Sequence, residues 1–239
     1  VNHGNPISSW LDEGMSIVAQ ELGSLYYENK YPPPTGRTNP GQLLPDSAEG
    51  FIADEFFEAF AYLQQPDSSS LTLHSDADGG LTWRAGDWLL LHWLGDQEGE
   101  SFYRRLEESS LAGTDNIAAA AGTPFQSLFG DFGLALYTDS LPGVPKTSIP
   151  QRDKFTTRTL RTIFLAVQEA GGSGSSDPFP IELRTVTGST SGSMVPGTVS
   201  YFELATSPSA GTTTLRFSPG NGGAFSSSLH PQVSIFRVQ

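Results

Sequence analysis

The hydrophobic period of this chain changes once, and that change limits what the chain can fold into. Up to about residue 170, apolar residues recur with the spacing of helices. After residue 178, short segments rich in β-branched residues alternate with Ser, Thr and Gly. Between them stands the sequence GGSGSS at residues 171–176, a composition typical of flexible linkers. The pattern predicts an α+β chain with a mainly helical subdomain over residues 1–172 and a small antiparallel β-sandwich domain over residues 177–239.

The charge of the chain follows the same division. Of its 26 acidic and 13 basic residues, 21 and 6 lie within residues 1–150, and the remainder holds 5 and 7. A net charge of −13 leaves no basic surface for a phosphate backbone, so we expect no nucleic-acid partner. No apolar run approaches the length of about 18 residues that a membrane span requires. The absence of cysteine excludes disulfide bonds and thiolate zinc sites.

Periodicity and capping signals predict six helices. The first begins at Ser9, which forms a capping-box pattern with Asp12. The others cover residues 50–65, 84–95, 100–110, 123–136 and 154–170, and four strands are predicted over residues 181–186, 198–204, 213–217 and 233–238. In the first helix Glu21 falls inside the apolar arc and Glu13 lies at its edge. A carboxylate inside an apolar arc needs a partner, because burying it alone is costly.

The most informative motif is WLDEG at residues 10–14, which continues as IVAQEL at residues 17–22. It resembles the helix that supplies the third zinc ligand in gluzincin zinc peptidases, and more narrowly in the hyicolysin family of secreted bacterial metallopeptidases. Three later stretches resemble the same family in the same order: RAGDWLLLHWL at 84–94, SSLAGTDNIAAAAG at 109–122 and FQSLFGDFGLALYTD at 125–139. The resemblance covers about residues 5–170.

This resemblance implies a zinc site of two His and one Glu, in which Glu13 is the third ligand. Such a site keeps a fourth position for water, as catalytic zinc requires. The zinc would lower the pKa of that water and polarise the scissile carbonyl. The parent protein would then be a secreted or cell-surface bacterial enzyme that hydrolyses protein or peptide substrates. The alternative for Glu13 is that it only favours the positive end of the helix dipole.

Two departures from the family pattern limit what the chain does alone. The HExxH motif is absent, since no two of the four histidines (His3, His74, His92 and His230) stand four residues apart. We expect this motif, with both His ligands and the general base, in an N-terminal part of the same protein before Val1, and His3 in a loop. The alternative is that His3 is the second His of the motif, which requires His and Glu as the two residues before Val1. The chain alone would then be inactive and hold no catalytic zinc. Where some gluzincins carry Y-x-x-G, this chain has WRAG at 83–86, and Trp83 has no hydroxyl.

Three further residues have two interpretations each. Glu21 either supports a zinc ligand through a hydrogen bond or forms a buried salt bridge. Trp83 and His92 either line the wall of the site or are ordinary core residues. For the whole chain, the alternative to a peptidase part is a non-catalytic surface or interaction protein that keeps the fold without metal. The sequence directly before Val1 discriminates between these two functions.

Overall fold

The structure is a computed structural model that describes residues 8–31, 46–73, 82–171, 179–192, 194–204, 214–219, 222–226 and 229–237. Within these ranges the chain is mainly helical. The helices are α1 (Ser9–Lys30), α2 (Asp46–Gln64), α3 (Thr82–Glu98), α4 (Ser101–Glu108), α5 (Gly113–Ala121), α6 (Phe125–Thr138) and α7 (Leu160–Gly171). Two 3-10 turns, Lys146–Ser148 and Gln151–Asp153, precede α7, and two strands, β1 (Arg184–Val186) and β2 (Phe202–Leu204), follow it. No helix in the described ranges is long and apolar enough to cross a membrane.

Helix α3 is the centre of the fold. Every residue from Ala85 to Leu94 is buried, as its apolar character on all sides predicts. Helices α1 and α2 pack against α3 and against each other. Gly14 allows the close approach of α1, because a methyl group there would lie 2.8 Å from Leu91 Cδ1 and 3.2 Å from Asp87 Cβ. The register of α1 on α3 therefore depends on this glycine, which directly follows Glu13.

The predicted helices exist, but several of their ends differ from prediction. The N-cap of α1 is Ser8, and it makes no capping hydrogen bond, so the capping box at Ser9 is wrong. The predicted helix over 154–170 is wrong over its first six residues. There the chain forms a loop whose backbone N–H groups at Thr156 and Thr157 donate to the carboxylate of Asp96. Helix α5 lies outside the predicted helices altogether.

The antiparallel pairing predicted for the C-terminal region is wrong for the strand pair that forms. Strands β1 and β2 are parallel, with Arg184 opposite Phe202. The end of the connection between them lies beside the loop that follows α2, where the carbonyl of Pro196 accepts a hydrogen bond from Ser70 Oγ at 2.6 Å. The described parts of the other two predicted strands, 214–217 and 233–237, have no regular secondary structure, and no antiparallel sandwich is present in the described ranges.

The segment that contains the strands packs on the helical body. Phe179 and Ile181 are buried in the same core as α6 and α7. The hydroxyl of Tyr201 donates to the carbonyl of Gly133 in α6 at 2.7 Å. The predicted boundary between residues 172 and 177 lies outside the described residues, and the division into two domains stays a prediction.

Candidate functional site

Glu13 lies early on α1, beside the N-terminal part of α3. Its Oε2 atom is 3.1 Å from Nε of Arg84, and 47% of its side chain is exposed. The same guanidinium reaches Oε1 of Glu55 on α2, at 3.8 Å. Glu13 is therefore held by an ion pair as well as by the helix dipole, and it remains accessible from outside.

Glu13 belongs to a group of four neighbouring carboxylates from three helices, which we call the acidic cluster: Glu13, Glu55, Glu58 and Asp87. Glu55 and Glu58 stand three residues apart on α2, which places them on one helix face. Asp87 comes from α3 and meets α1 at the glycine after Glu13. Among the described contacts, the cation that pairs with these four acidic side chains is Arg84, which contacts Glu13 and Glu55. The cluster thus carries more negative than positive charge when it is ionised.

Burial and the charges of neighbouring carboxylates raise the pKa values of three members of this cluster, Glu55, Glu58 and Asp87. Burial, together with the neighbouring Glu55, raises the pKa of Glu58 to about 7. Burial also raises the pKa of Glu55, although the charge of Arg84 opposes that change. The pKa of Asp87 rises well above its usual range because of burial, with a further contribution from the charge of Glu13. A carboxylate with a raised pKa lacks the donors and cations that would stabilise its charge.

Asp87 is the most unusual member of the acidic cluster. It is fully buried, and neither carboxylate oxygen has a hydrogen-bond partner in the described structure. The hydroxyl of Tyr62 on α2 is also buried without a partner there. Buried polar groups are nearly always satisfied, so such exceptions point to a missing partner. Sequence analysis overlooked Asp87, although an aspartate within the apolar helix α3 is itself a signal.

Glu21 belongs to a different network, in which every charge has a partner. Its Oε2 atom lies 2.6 Å from His92 Nδ1 and accepts a hydrogen bond from Trp88 Nε1 at 2.8 Å, while Oε1 accepts one from Arg158 Nε at 2.7 Å. Arg158 continues to Glu28 at 2.8 Å. These contacts are those of a buried salt bridge, which was one of the two interpretations of Glu21.

The pKa values in this network reflect its pairing. Burial opposes ionisation of Glu21, but the charges of His92 and Arg158 and the hydrogen bonds outweigh it and lower the pKa to about 2. Burial likewise disfavours charge on His92, yet the carboxylates of Glu21 and Asp96 raise its pKa above 6.5. The His92 ring also stacks on Phe155, with ring centroids 5.5 Å apart. His92 thus has the surroundings of a core histidine held in an ion pair.

The remaining predicted residues lie apart from Glu13 or outside the described ranges. Trp83 is partly buried and packs against the core next to Arg84. His3 and His74 fall outside the described residues, and His230 is exposed near the C-terminus. Within the described ranges, no three side chains of His, Cys, Asp or Glu converge to hold a metal ion. Of the zinc ligands that the resemblance implies, the described structure contains Glu13.

The chain matches no known family model, no curated protein and no solved structure. The chemistry of this region must therefore be inferred from its own geometry. Its distinctive features are a half-exposed carboxylate, an excess of acidic groups and a buried aspartate that has no hydrogen-bond partner among the described residues.

Proposed function

We propose that this chain is the C-terminal part of a secreted zinc metallopeptidase of the gluzincin type, in which Glu13 completes the zinc site. The observation that carries the proposal is the half-exposed carboxylate of Glu13 at the edge of the acidic cluster. A cation bound there would offset negative charge that Arg84 alone does not balance. The WLDEG motif gives this carboxylate the position of the third ligand.

The chain's own residues fit the role of one wall of such a site. Arg84 pairs with Oε2 of Glu13, which would leave Oε1 for a metal ion. The pairing also fixes the carboxylate, since the guanidinium contacts Glu55 on the neighbouring helix. When bound, zinc supplies an activated water and polarises the scissile carbonyl. The two His ligands and the general base would have to come from outside the residues described here.

The predicted β-sandwich would be an accessory domain of the same enzyme. The parallel pair of β1 and β2 supports only a small β element, packed on the helical body. Any further sandwich would have to involve residues beyond those in the described ranges.

The second candidate function is a non-catalytic interaction protein with this fold and no metal. The ion pair of Glu13 with Arg84 favours it, because the carboxylate already has a counter-charge. In that case Glu13 would be a structural residue, and its removal would change stability rather than metal content.

An experiment on a longer precursor, defined here as this chain extended at its N-terminus by the proposed HExxH-bearing part, distinguishes the two functions. We expect this precursor to retain one equivalent of zinc after dialysis and to cleave an unstructured protein substrate. Glu13→Gln should abolish both properties while the protein stays folded. The matched control is Glu28→Gln, which removes an ion-paired glutamate from the same helix but away from the acidic cluster. Equal zinc content in wild type and Glu13→Gln would contradict the proposal, and a folded precursor without zinc would favour the interaction protein.

Residues 1–239 alone provide a complementary test. With one of three ligands, this chain should bind zinc only weakly and release it on dialysis. Tight, stoichiometric zinc binding by the isolated chain would show that the proposed set of ligands is wrong.

A further inference from the structure

Glu55 and Glu58 form a pair of carboxyl groups on one face of α2. Glu55 is buried and Glu58 is half-buried, and a hydrogen bond joins their carboxyl groups. Two carboxyl groups hydrogen-bond to each other only while one of them keeps its proton. The Oε2 atom of each group is also buried, with no partner among the described residues. The packing of α2 therefore fits a pair that shares one proton and carries a single negative charge.

The charges around this pair favour its proton. Arg84 on α3 lies 3.8 Å from Glu55, but it also pairs with Glu13 on α1 at 3.1 Å. Its positive charge is thus divided between two carboxylates. The other ionisable groups that act on these residues, Asp54 on α2 and Asp87 on α3, are acidic as well. Loss of the shared proton would therefore add a negative charge where negative charge is already in excess.

On the side of α7, aromatic groups make the contacts of α2. The ring of Phe60 lies 6.0 Å from the ring of Phe164 on α7, measured between centroids. The guanidinium of Arg158 lies over the ring of Phe56, 5.3 Å from its centroid. This arginine is bound to the carboxylates of the separate network around Glu21. Its charge is thus committed to that network rather than to the carboxyl pair of α2.

The contact between α2 and α3 leaves little room for water around a second charge. Tyr62, one helical turn after Glu58, is fully buried and packs so closely on α3 that a methyl group at Gly86 would lie 2.7 Å from its Cε2 atom. A buried carboxylate that gains no donor is costly. Ionisation of both members of the pair is relieved when water enters, and that requires α2 to move away from its neighbours.

We infer that the packing of α2 on α1 and α3 is a proton-controlled switch, closed while Glu55 and Glu58 share a proton and loosened when both are ionised. This switch consists of residues of the chain itself and does not depend on the proposed zinc site. Burial and the charge of Glu55 raise the pKa of Glu58 from 4.5 to about 7. Because this pKa is higher in the folded than in the unfolded chain, the stabilising effect of the proton is complete below pH 4.5 and is lost as the pH rises through 7.

The test is Glu58→Gln in the 239-residue chain. The amide imitates the protonated carboxyl group, because it is neutral and keeps a donor for Glu55. Between pH 6 and pH 8, the equilibrium constant for unfolding in urea should rise about tenfold more in wild type than in the variant. The variant should be more stable than wild type at pH 8. Amide hydrogen exchange, corrected for the intrinsic effect of pH, should show a larger loss of protection in α2 than in α6 of the wild type, because the opening is local.

Asp54→Asn is the matched control, because it removes a carboxylate from an exposed position on the same helix. It should keep the pH dependence of unfolding, with a midpoint at slightly lower pH, since the charge of Asp54 helps to raise the pKa of Glu58. If Glu58→Gln keeps the full pH dependence of wild type, or is less stable than wild type at pH 8, the shared proton does not control the packing. If protection falls equally in α2 and α6, ionisation acts on the whole fold and a local loosening of α2 is refuted.

Discussion

Replacement of Glu21 by glutamine tests how much the buried ion network contributes to stability. Lowering the pKa of this carboxyl from 4.5 to about 2 corresponds to about 3 kcal/mol of stabilisation at neutral pH. Removal of one partner from a buried ion pair has a similar cost, about 3–5 kcal/mol. We therefore expect Glu21→Gln to lower the free energy of unfolding by about 3 kcal/mol in urea titrations. The dependence of this free energy on urea concentration, the m-value, should not change.

The dependence on pH gives the sharper test of the same variant. The folded pKa of Glu21 lies below the unfolded one, so its contribution is present above pH 4.5 and is lost as the pH falls toward 2. The difference between wild type and Glu21→Gln should narrow from about 3 kcal/mol near pH 6 to about 1 kcal/mol near pH 3. Glu28→Gln is the control, because Glu28 pairs with the same arginine from a more exposed position and should cost about 1 kcal/mol or less. A loss below about 1 kcal/mol near pH 6, or a difference that does not narrow in acid, would refute the reasoning.

Two further predictions concern packing and buried hydrogen bonds. Gly14→Ala places a methyl group 2.8 Å from Leu91, and we expect overpacking to lower the free energy of unfolding by about 1–3 kcal/mol. Gly130→Ala on α6, where the nearest atom to the new methyl group would be 3.5 Å away, should instead raise the free energy of unfolding by about 0.5–1 kcal/mol, because alanine favours a helix more than glycine does. If both variants changed the free energy of unfolding in the same direction in urea titrations, the packing argument would be contradicted. Asp139→Ala leaves two backbone N–H groups without an acceptor and should cost about 3 kcal/mol; a neutral result would show that water or another group replaces the carboxylate.

Local patterns in the sequence predicted the features that depend on one helix at a time. The apolar residues on all sides of α3 indicated a central helix, because such a helix is stable only when surrounded. The place of Glu21 in the apolar arc of α1 indicated a partner for its charge. The partners themselves, 71 residues away at His92 and 137 residues away at Arg158, are not encoded in any local pattern.

Other features escaped prediction because tertiary contacts override local preference. The segment before α7 has helical periodicity, yet it forms a loop. Its backbone N–H groups at Thr156 and Thr157 donate hydrogen bonds to the carboxylate of Asp96 instead of to helical carbonyl groups. Strands were predicted over residues 181–186 and 198–204 and form over 184–186 and 202–204, but their parallel direction depends on a long connection that no local pattern describes. The acidic cluster draws on three helices, so only their packing brings its members together.

The contrast between Glu21 and Asp87 separates what the fold explains from what it does not. Both carboxylates are almost completely buried, on helices that pack against each other. Glu21 has donors from His92, Trp88 and Arg158, so its burial is balanced within the described chain. Asp87 has none in the described ranges, so Asp87→Asn should cost far less stability than Glu21→Gln. An ionised buried carboxylate in this fold therefore depends on donors from the surrounding helices, as at Glu21, and where the described helices supply none, at Asp87, burial raises the pKa and favours the neutral carboxyl group.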